Sequence, residues 1–199
     1  MAVPGVVNAV PGPAPDPWGG GTLAPGPPLV PPSAPEPAFR DAMARLAGGV
    51  AVVTTLDAVG RDCGITVTAA SAVSLDPPLV LVCVRRGGFV HDALTVSDGW
   101  AMSMLADDQV DLARYAARHR VPGDRDDFSP WAHRRGEASG ALIITGGVAA
   151  VECLPYDVVD AGDHAVCIGR VVATADDTTG DHPLVYVDRD YAAPRDAPG

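Results

Sequence analysis

The 199-residue chain contains no lysine, and all 14 of its basic side chains are arginine. That absence excludes Schiff-base catalysis and a P-loop, both of which need a lysine amine. Positive charge is scarce altogether: 25 acidic residues stand against the 14 arginines, and the net charge is −11. Nucleic acids and anionic membrane surfaces require a basic footprint, so neither is an expected partner. Cysteine is limited to Cys63, Cys83, Cys153 and Cys167. No two form a C-x-x-C pair and three lie in apolar runs, which suits reduced core side chains better than disulfides or zinc ligands. The five histidines lack metal-site spacing and the acids are dispersed, so no metal is expected. No apolar run approaches the roughly 20 residues that span a bilayer. The N-terminus lacks a basic segment leading into an apolar one, so a secretory leader is not expected and a cytoplasmic location is. There is no G-x-G-x-x-G after a strand, no nucleophile elbow and no internal repeat.

Residues 1–37 hold 12 of the 20 prolines. Such a segment has few ladder donors and little to bury, so it is expected to be a disordered or polyproline-like tail. A globular domain is expected over 38–192, with a short tail at 193–199.

The domain is organised around Asp62 to Val84, DCGITVTAASAVSLDPPLVLVCV. Gly64 to Thr68 is β-branched and extended. Thr68 to Ser74 carries almost nothing larger than valine, so a flat ligand can approach the backbone there. Ser74-Leu75-Asp76-Pro77-Pro78 reads as a rigid turn, and Leu79 to Val84 as a strand buried on both faces. The bland alternative is an ordinary buried hairpin.

Around this stretch, Phe39, Met43, Leu46 and Ala47 recur at helical spacing, with Gly48-Gly49 as the expected C-cap. Val50 to Leu56 is an expected strand. A loop at Arg85 to His91 precedes a short helix near Asp92 to Thr95. Trp100 to Leu105 is a strand, and Asp107-Asp108 opens a helix to about His119. Residues 120–140 read as a surface excursion, a lid or a long loop, with Phe128 and Trp131 embedded. Ala141 to Glu152, His164 to Ala173 and Pro183 to Asp188 are further strands, with Pro155 to Gly162 as a connector. Turns this short do not permit βαβ crossovers, so a mainly β, antiparallel barrel with flanking helices is expected.

His164 starts an apolar strand and Arg170 lies six residues on, on the same face, where imidazole and guanidinium could grip a diphosphate or an amide. A solvated histidine and a strand-end arginine are the plain alternative. His91 follows Arg85, Arg86, Gly87 and Gly88, a combination that can hold phosphate or merely be a solvated loop.

Several segments taken in order resemble the flavin reductase family, whose fold is the FMN-binding split barrel and whose members serve two-component flavin-dependent monooxygenases. They are Phe39 to Val50, Gly64-Ile65-Thr66-Val67, Val73 to Val80, Gly162-Asp163-His164 with Ile168 to Val171, and Pro183 to Tyr186 with Tyr191. The resemblance implies a dimeric, antiparallel split barrel with flavin near the subunit interface. It implies reduction of FMN or FAD by NADH or NADPH, and delivery of reduced flavin to a partner monooxygenase. Carried over by position, Thr66, Val67, Thr68 and Ala69 would line the isoalloxazine, with Ser74 and Leu75 beside it. Arg85, Gly87, Gly88, Phe89 and His91 would face the phosphate. Arg170 and Tyr191 would border the nicotinamide, with His164 as the residue nearest the chemistry. Hydride transfer from nicotinamide C4 to flavin N5 needs stacking and hydrogen bonds rather than an acid–base dyad. Two departures stand out. Thr66-Val67-Thr68-Ala69 replaces the family's Thr-x-Asn-Ser, and Gly87-Gly88-Phe89-Val90 replaces a hydroxyl-rich loop. Each lost bond costs roughly 0.5–1.5 kcal/mol. The departures, with the long proline-rich tail, leave open an accessory subunit with a degenerate flavin site; a separate alternative is an enzyme that keeps its flavin and acts on an organic substrate.

Overall fold

The computed structural model describes residues 33–118, 126–175 and 179–194. The expected tail over 1–37 lies outside these residues except for its last five positions, as do the expected end of the second long helix at His119 and most of the C-terminal tail. A compact unit begins at Glu36.

In chain order the elements are α1 (Glu36–Ala44), β1 (Gly48–Gly49), β2 (Ala51–Leu56), β3 (Asp62–Val67), β4 (Ala70–Leu75), β5 (Pro78–Arg85), α2 (Phe89–Val96) and β6 (Trp100–Met104). A 3-10 turn at Asp107–Gln109 leads into α3 (Val110–Ala116). There follow β7 (His133–Arg135), β8 (Leu142–Ile144), β9 (Ala149–Ala161), β10 (His164–Ala175), β11 (Val185–Val187) and β12 (Asp190–Ala192).

Seven strands form one antiparallel sheet in the order β3-β2-β6-β9-β10-β5-β4. One core cluster draws Val53 from β2, Val67 from β3, Val82 and Val84 from β5, Trp100 from β6, Cys153 from β9 and Cys167 from β10. Strands from opposite ends of the order can share a core only if the sheet curls on itself. Its edges, β3 and β4, are joined by Thr68-Ala69 but do not pair among the described residues, so the barrel is open along one seam. β2 lies between two core clusters. Five of its six residues are buried, and its other face carries a second cluster with Leu112, Ala113 and Ala116 of α3, Phe128 and Ile144.

The small segment expected as a groove is itself strand β4, bound to β5 by backbone pairing that needs no large side chain. β5 is not buried on both faces: Leu79, Val82 and Val84 are buried, while Val80, Leu81 and Cys83 are partly exposed. Gly48-Gly49 does not cap a helix but pairs with Val185 and Tyr186. The expected strand Ala141 to Glu152 is broken between β8 and β9. Pro155 to Gly162 is not a connector, because β9 runs on to Ala161 and pairs with β10 throughout. The register shift beside Pro155 accommodates the missing N–H. In the expected surface excursion, Phe128 is 3 % exposed and closes over β3. A Cβ at Gly64 would lie 2.9 Å from the Phe128 ring, so the close packing requires glycine. Gly169 does the same for Trp100, whose ring would lie 2.3 Å from an added Cβ.

Candidate functional site

β5 carries Arg85 to the end of the sheet. Gly87, at φ +68°, turns the chain in a conformation that favours glycine. Gly88 then stands at the N-cap of α2 with φ −85° and ψ 154°, and no side chain caps the helix. The first-turn N–H groups of α2 therefore have no intrahelical partner, and the helix dipole adds positive potential. Beside them is a cleft of about 220 Å³ lined by Ile65, Arg85, Gly88, Phe89, His91 and Arg118, among others. The Arg118 guanidinium lies 3.8 Å over the Tyr115 ring, and its Nε donates to the Tyr115 carbonyl at 2.9 Å. The stack fixes the arginine and does not use its two Nη groups. His91 Nδ1 lies 2.9 Å from Asp92 Oδ1. Two arginines, a histidine and an uncapped helix start suit a phosphate.

The sequence-derived site residues thus fall into separate groups. Arg85, Gly88, Phe89 and His91 converge on the cleft, joined by Arg118 and Ile65. Gly87 shapes the turn. His164 is the ladder partner of Arg85 across the β5–β10 pair, and its Nδ1 lies 2.8 Å from Asp163 Oδ1. That hydrogen bond, with the charge of His164, holds the Asp163 carboxyl below the usual carboxylate range. Arg170 pairs with Leu79 at the far end of β5. It shares the face of His164 but sits roughly 20 Å along the strand, at about 3.3 Å per residue. The two cannot grip one small group within a single chain.

Thr66 spends its hydroxyl on the Ala113 carbonyl at 2.7 Å, and Val67 is buried in the core. Thr68 and Ala69 line a different hollow, of about 790 Å³, with Phe39, Met43, Tyr186 and Arg189. Ser74 is half-buried, and Leu75, 93 % exposed, ends β4 at the surface. Tyr191 packs on Tyr186 with ring centres 5.2 Å apart. Arg114 lies 5.7 Å from its ring centre. Burial pushes the Tyr191 hydroxyl up, and Tyr186 adds to the shift. Sequence reasoning missed Arg118; the available signal was an arginine one turn beyond the apolar stripe of α3. Among the described residues no cluster of His, Cys, Asp and Glu could hold a metal ion, and no helix is long and apolar enough to cross a membrane.

Comparison with known proteins gives a consistent picture. The actinorhodin polyketide dimerase of Streptomyces coelicolor is 39 % identical over 155 residues, 78 % of this chain and 84 % of that protein. The NADH:riboflavin 5'-phosphate oxidoreductase of Streptomyces pristinaespiralis is 36 % identical over 159 residues, 78 % of this chain and 86 % of that protein. The crystal structure of BorF, the flavin reductase component of a bacterial two-component tryptophan halogenase, superposes with a TM-score of 0.73 at 31 % identity, covering 81 % of this chain and 99 % of that one. The sequence profile of the flavin reductase like domain matches residues 43–195, so the chain belongs to the flavin reductase family.

Proposed function

We propose that this protein uses NADH or NADPH to reduce FMN or FAD and releases the reduced flavin to a partner oxygenase. The observation that carries this reading is the cationic cleft at the start of α2, which offers a phosphate backbone N–H groups, Arg85 and Arg118. Arg85, Arg118 and His91 would hold the flavin phosphate, and the β3 strand that contributes Ile65 would guide the ring system towards Thr66 to Ala69. A bound flavin would supply the hydride acceptor. The chain's own part is to position: Phe89 and Ile65 exclude water from the cleft, and His164, outside the cleft but across the ladder from Arg85, orients the nicotinamide nucleotide. The relatives named as an NADH:riboflavin 5'-phosphate oxidoreductase and as a flavin reductase component support this reading.

The protein is further proposed to act as a homodimer. Phe39, Met43 and Leu46 of α1 and the following turn are 59, 44 and 66 % exposed, and α1 buries none of its residues in its own chain. They make an apolar surface that a second copy would cover. Sedimentation equilibrium yielding monomer at micromolar concentration would sink the dimer. The reductase reading is tested by NADH and NADPH oxidation on adding FMN or FAD. Turnover stimulated by free flavin is expected, and no stimulation above background overturns it.

A second reading is favoured by the dimerase among the relatives. The protein would then retain its flavin and act directly on an organic substrate. A hollow of about 330 Å³ lined by Val80, Met102, Met104 and Leu184 offers an apolar surface for such a molecule. Flavin that survives purification and gel filtration would favour this reading over export.

A further inference from the structure

We propose that the hollow on the far side of Phe89 is an adenosine subsite, so that the protein binds FAD in preference to FMN. The inference rests on the flavin reading above and adds to it the identity of the flavin.

Phe89 opens α2, half-buried and packed against the barrel core. It lines two hollows at once. One is the cationic cleft with Arg85 and Arg118. The other, of about 270 Å³, is walled by Phe89, Ala93, Val59 and Val96 and rimmed by Asp57 and Asp92. Val59 and Val96 are 72 and 59 % exposed, an apolar surface that none of the described residues covers.

The two hollows differ in chemistry. The second also contains Arg61, but that guanidinium is held by Asp57, with Nε and Nη2 each 2.7 Å from Oδ2. A further phosphate would meet carboxylates and no uncommitted cation. A purine suits the site better. Its flat faces match Phe89 and the valines, and its exocyclic amino group can donate to a rim carboxylate. FAD is FMN extended from its phosphate by an adenosine monophosphate, so both phosphates would share the cationic cleft and the adenosine alone would enter the second hollow. With the FMN phosphate between Arg85, Arg118 and the start of α2, the extension reaches Phe89 next, and the adenine stacks on the ring. Stacking a base on an aromatic side chain is worth about fivefold or more in affinity.

The test is titration of the full chain with FMN and FAD by fluorescence quenching, with thermal melts to confirm folding. FAD is expected to bind about tenfold more tightly than FMN. Val59→Asp and Val96→Asp, both at exposed positions, should bring the FAD-to-FMN affinity ratio close to one. Phe89→Ala should lower the ratio and Phe89→Trp should keep it. Because NADH also carries an adenosine, its Michaelis constant is measured with FMN as acceptor. Variants that raise that constant but leave the FAD-to-FMN ratio unchanged would overturn the assignment to FAD. Equal parental affinity for FAD and FMN would overturn the subsite and spare the flavin reading. Affinity for neither flavin would overturn both.

Discussion

Two places in this molecule invite comparison, because each offers backbone N–H groups to negative charge and one of the two is filled by a side chain of the protein itself. In the sheet, buried Glu152 on β9 accepts from Ala138 N–H at 2.9 Å, Ser139 N–H at 2.8 Å and the Ser139 hydroxyl at 2.8 Å. At the start of α2, Gly88 provides no cap, and the arginines beside it surround a cleft. The contrast separates structure from function. Where the fold needs an anion for stability it supplies a carboxylate of fixed geometry. Where, on the proposed reading, a ligand would bring the anion, the N-cap is glycine.

Emptying the filled place should give the largest effect. Glu152→Ala leaves two backbone N–H groups and a hydroxyl without their acceptor, and should cost about 2–3 kcal/mol. The expected fall in melting temperature is roughly 4–12 °C at about 2–4 °C per kcal/mol. Burial pushes the Glu152 carboxyl up, but the Ser139 N–H and hydroxyl, the Ala138 N–H and the charge of Arg134 outweigh it, so the net direction is down. A carboxyl lowered on folding stabilises above its unfolded pKa, and that contribution is lost as pH falls through the lowered folded value. Glu152→Gln should therefore flatten the stability profile on the acid side of the ordinary carboxylate range. An unchanged acid limb in chemical denaturation would show that the clamp is not charge-assisted.

Filling the open place is the converse change. Gly88→Asp puts a carboxylate at a position whose φ and ψ suit an N-cap, though its Cβ would sit 3.2 Å from the Arg85 carbonyl. Helix stability should change by no more than a few tenths of a kcal/mol. Flavin affinity should fall well over tenfold, because the new carboxylate competes for the same donors and repels phosphate. If affinity is kept, the phosphate does not lie at the start of α2. Arg118→Ala should have a smaller effect, about tenfold in flavin affinity, corresponding to about 1.4 kcal/mol for one charge-assisted contact. Riboflavin, which lacks the phosphate, should bind parent and variant alike in the same titration.

The contrast also shows what a sequence can disclose. The loop from Arg85 to His91 was legible because its chemistry is contiguous: two arginines, two glycines and a histidine in seven residues. Arg118 was not, because it reaches the cleft only through the packing of α3 on β2 and β3. The fate of Thr66 was hidden for the same reason, since the carbonyl that takes its hydroxyl is 47 residues away. The strand order depended on pairings whose sequence signal is weak. β4 is held by backbone bonds under small side chains, and β9 passes through a proline that local reasoning takes for a break. Glu152 looked like any polar residue at the end of a strand; its burial is decided by the loop at Ala138 and Ser139 folding onto it.

The smallest expected effect concerns His164, which tests whether the open place has a second, separable wall. His164 faces Arg85 across the β5–β10 ladder, yet it does not line the cleft. Its side chain is 47 % exposed and its ring is held by Asp163. A residue so placed can meet a nucleotide arriving from outside while leaving a flavin phosphate in the cleft untouched. His164→Ala should therefore raise the apparent Michaelis constant for NADH or NADPH severalfold and change flavin affinity little. Asp163→Asn should produce a weaker version of the same split, because it loosens the ring without removing it. Equal losses for flavin and nicotinamide nucleotide would make His164 part of the phosphate site. The nicotinamide wall would then have to come from elsewhere, with Arg170, roughly 20 Å away along β10, accessible to the same nucleotide only by way of a second chain.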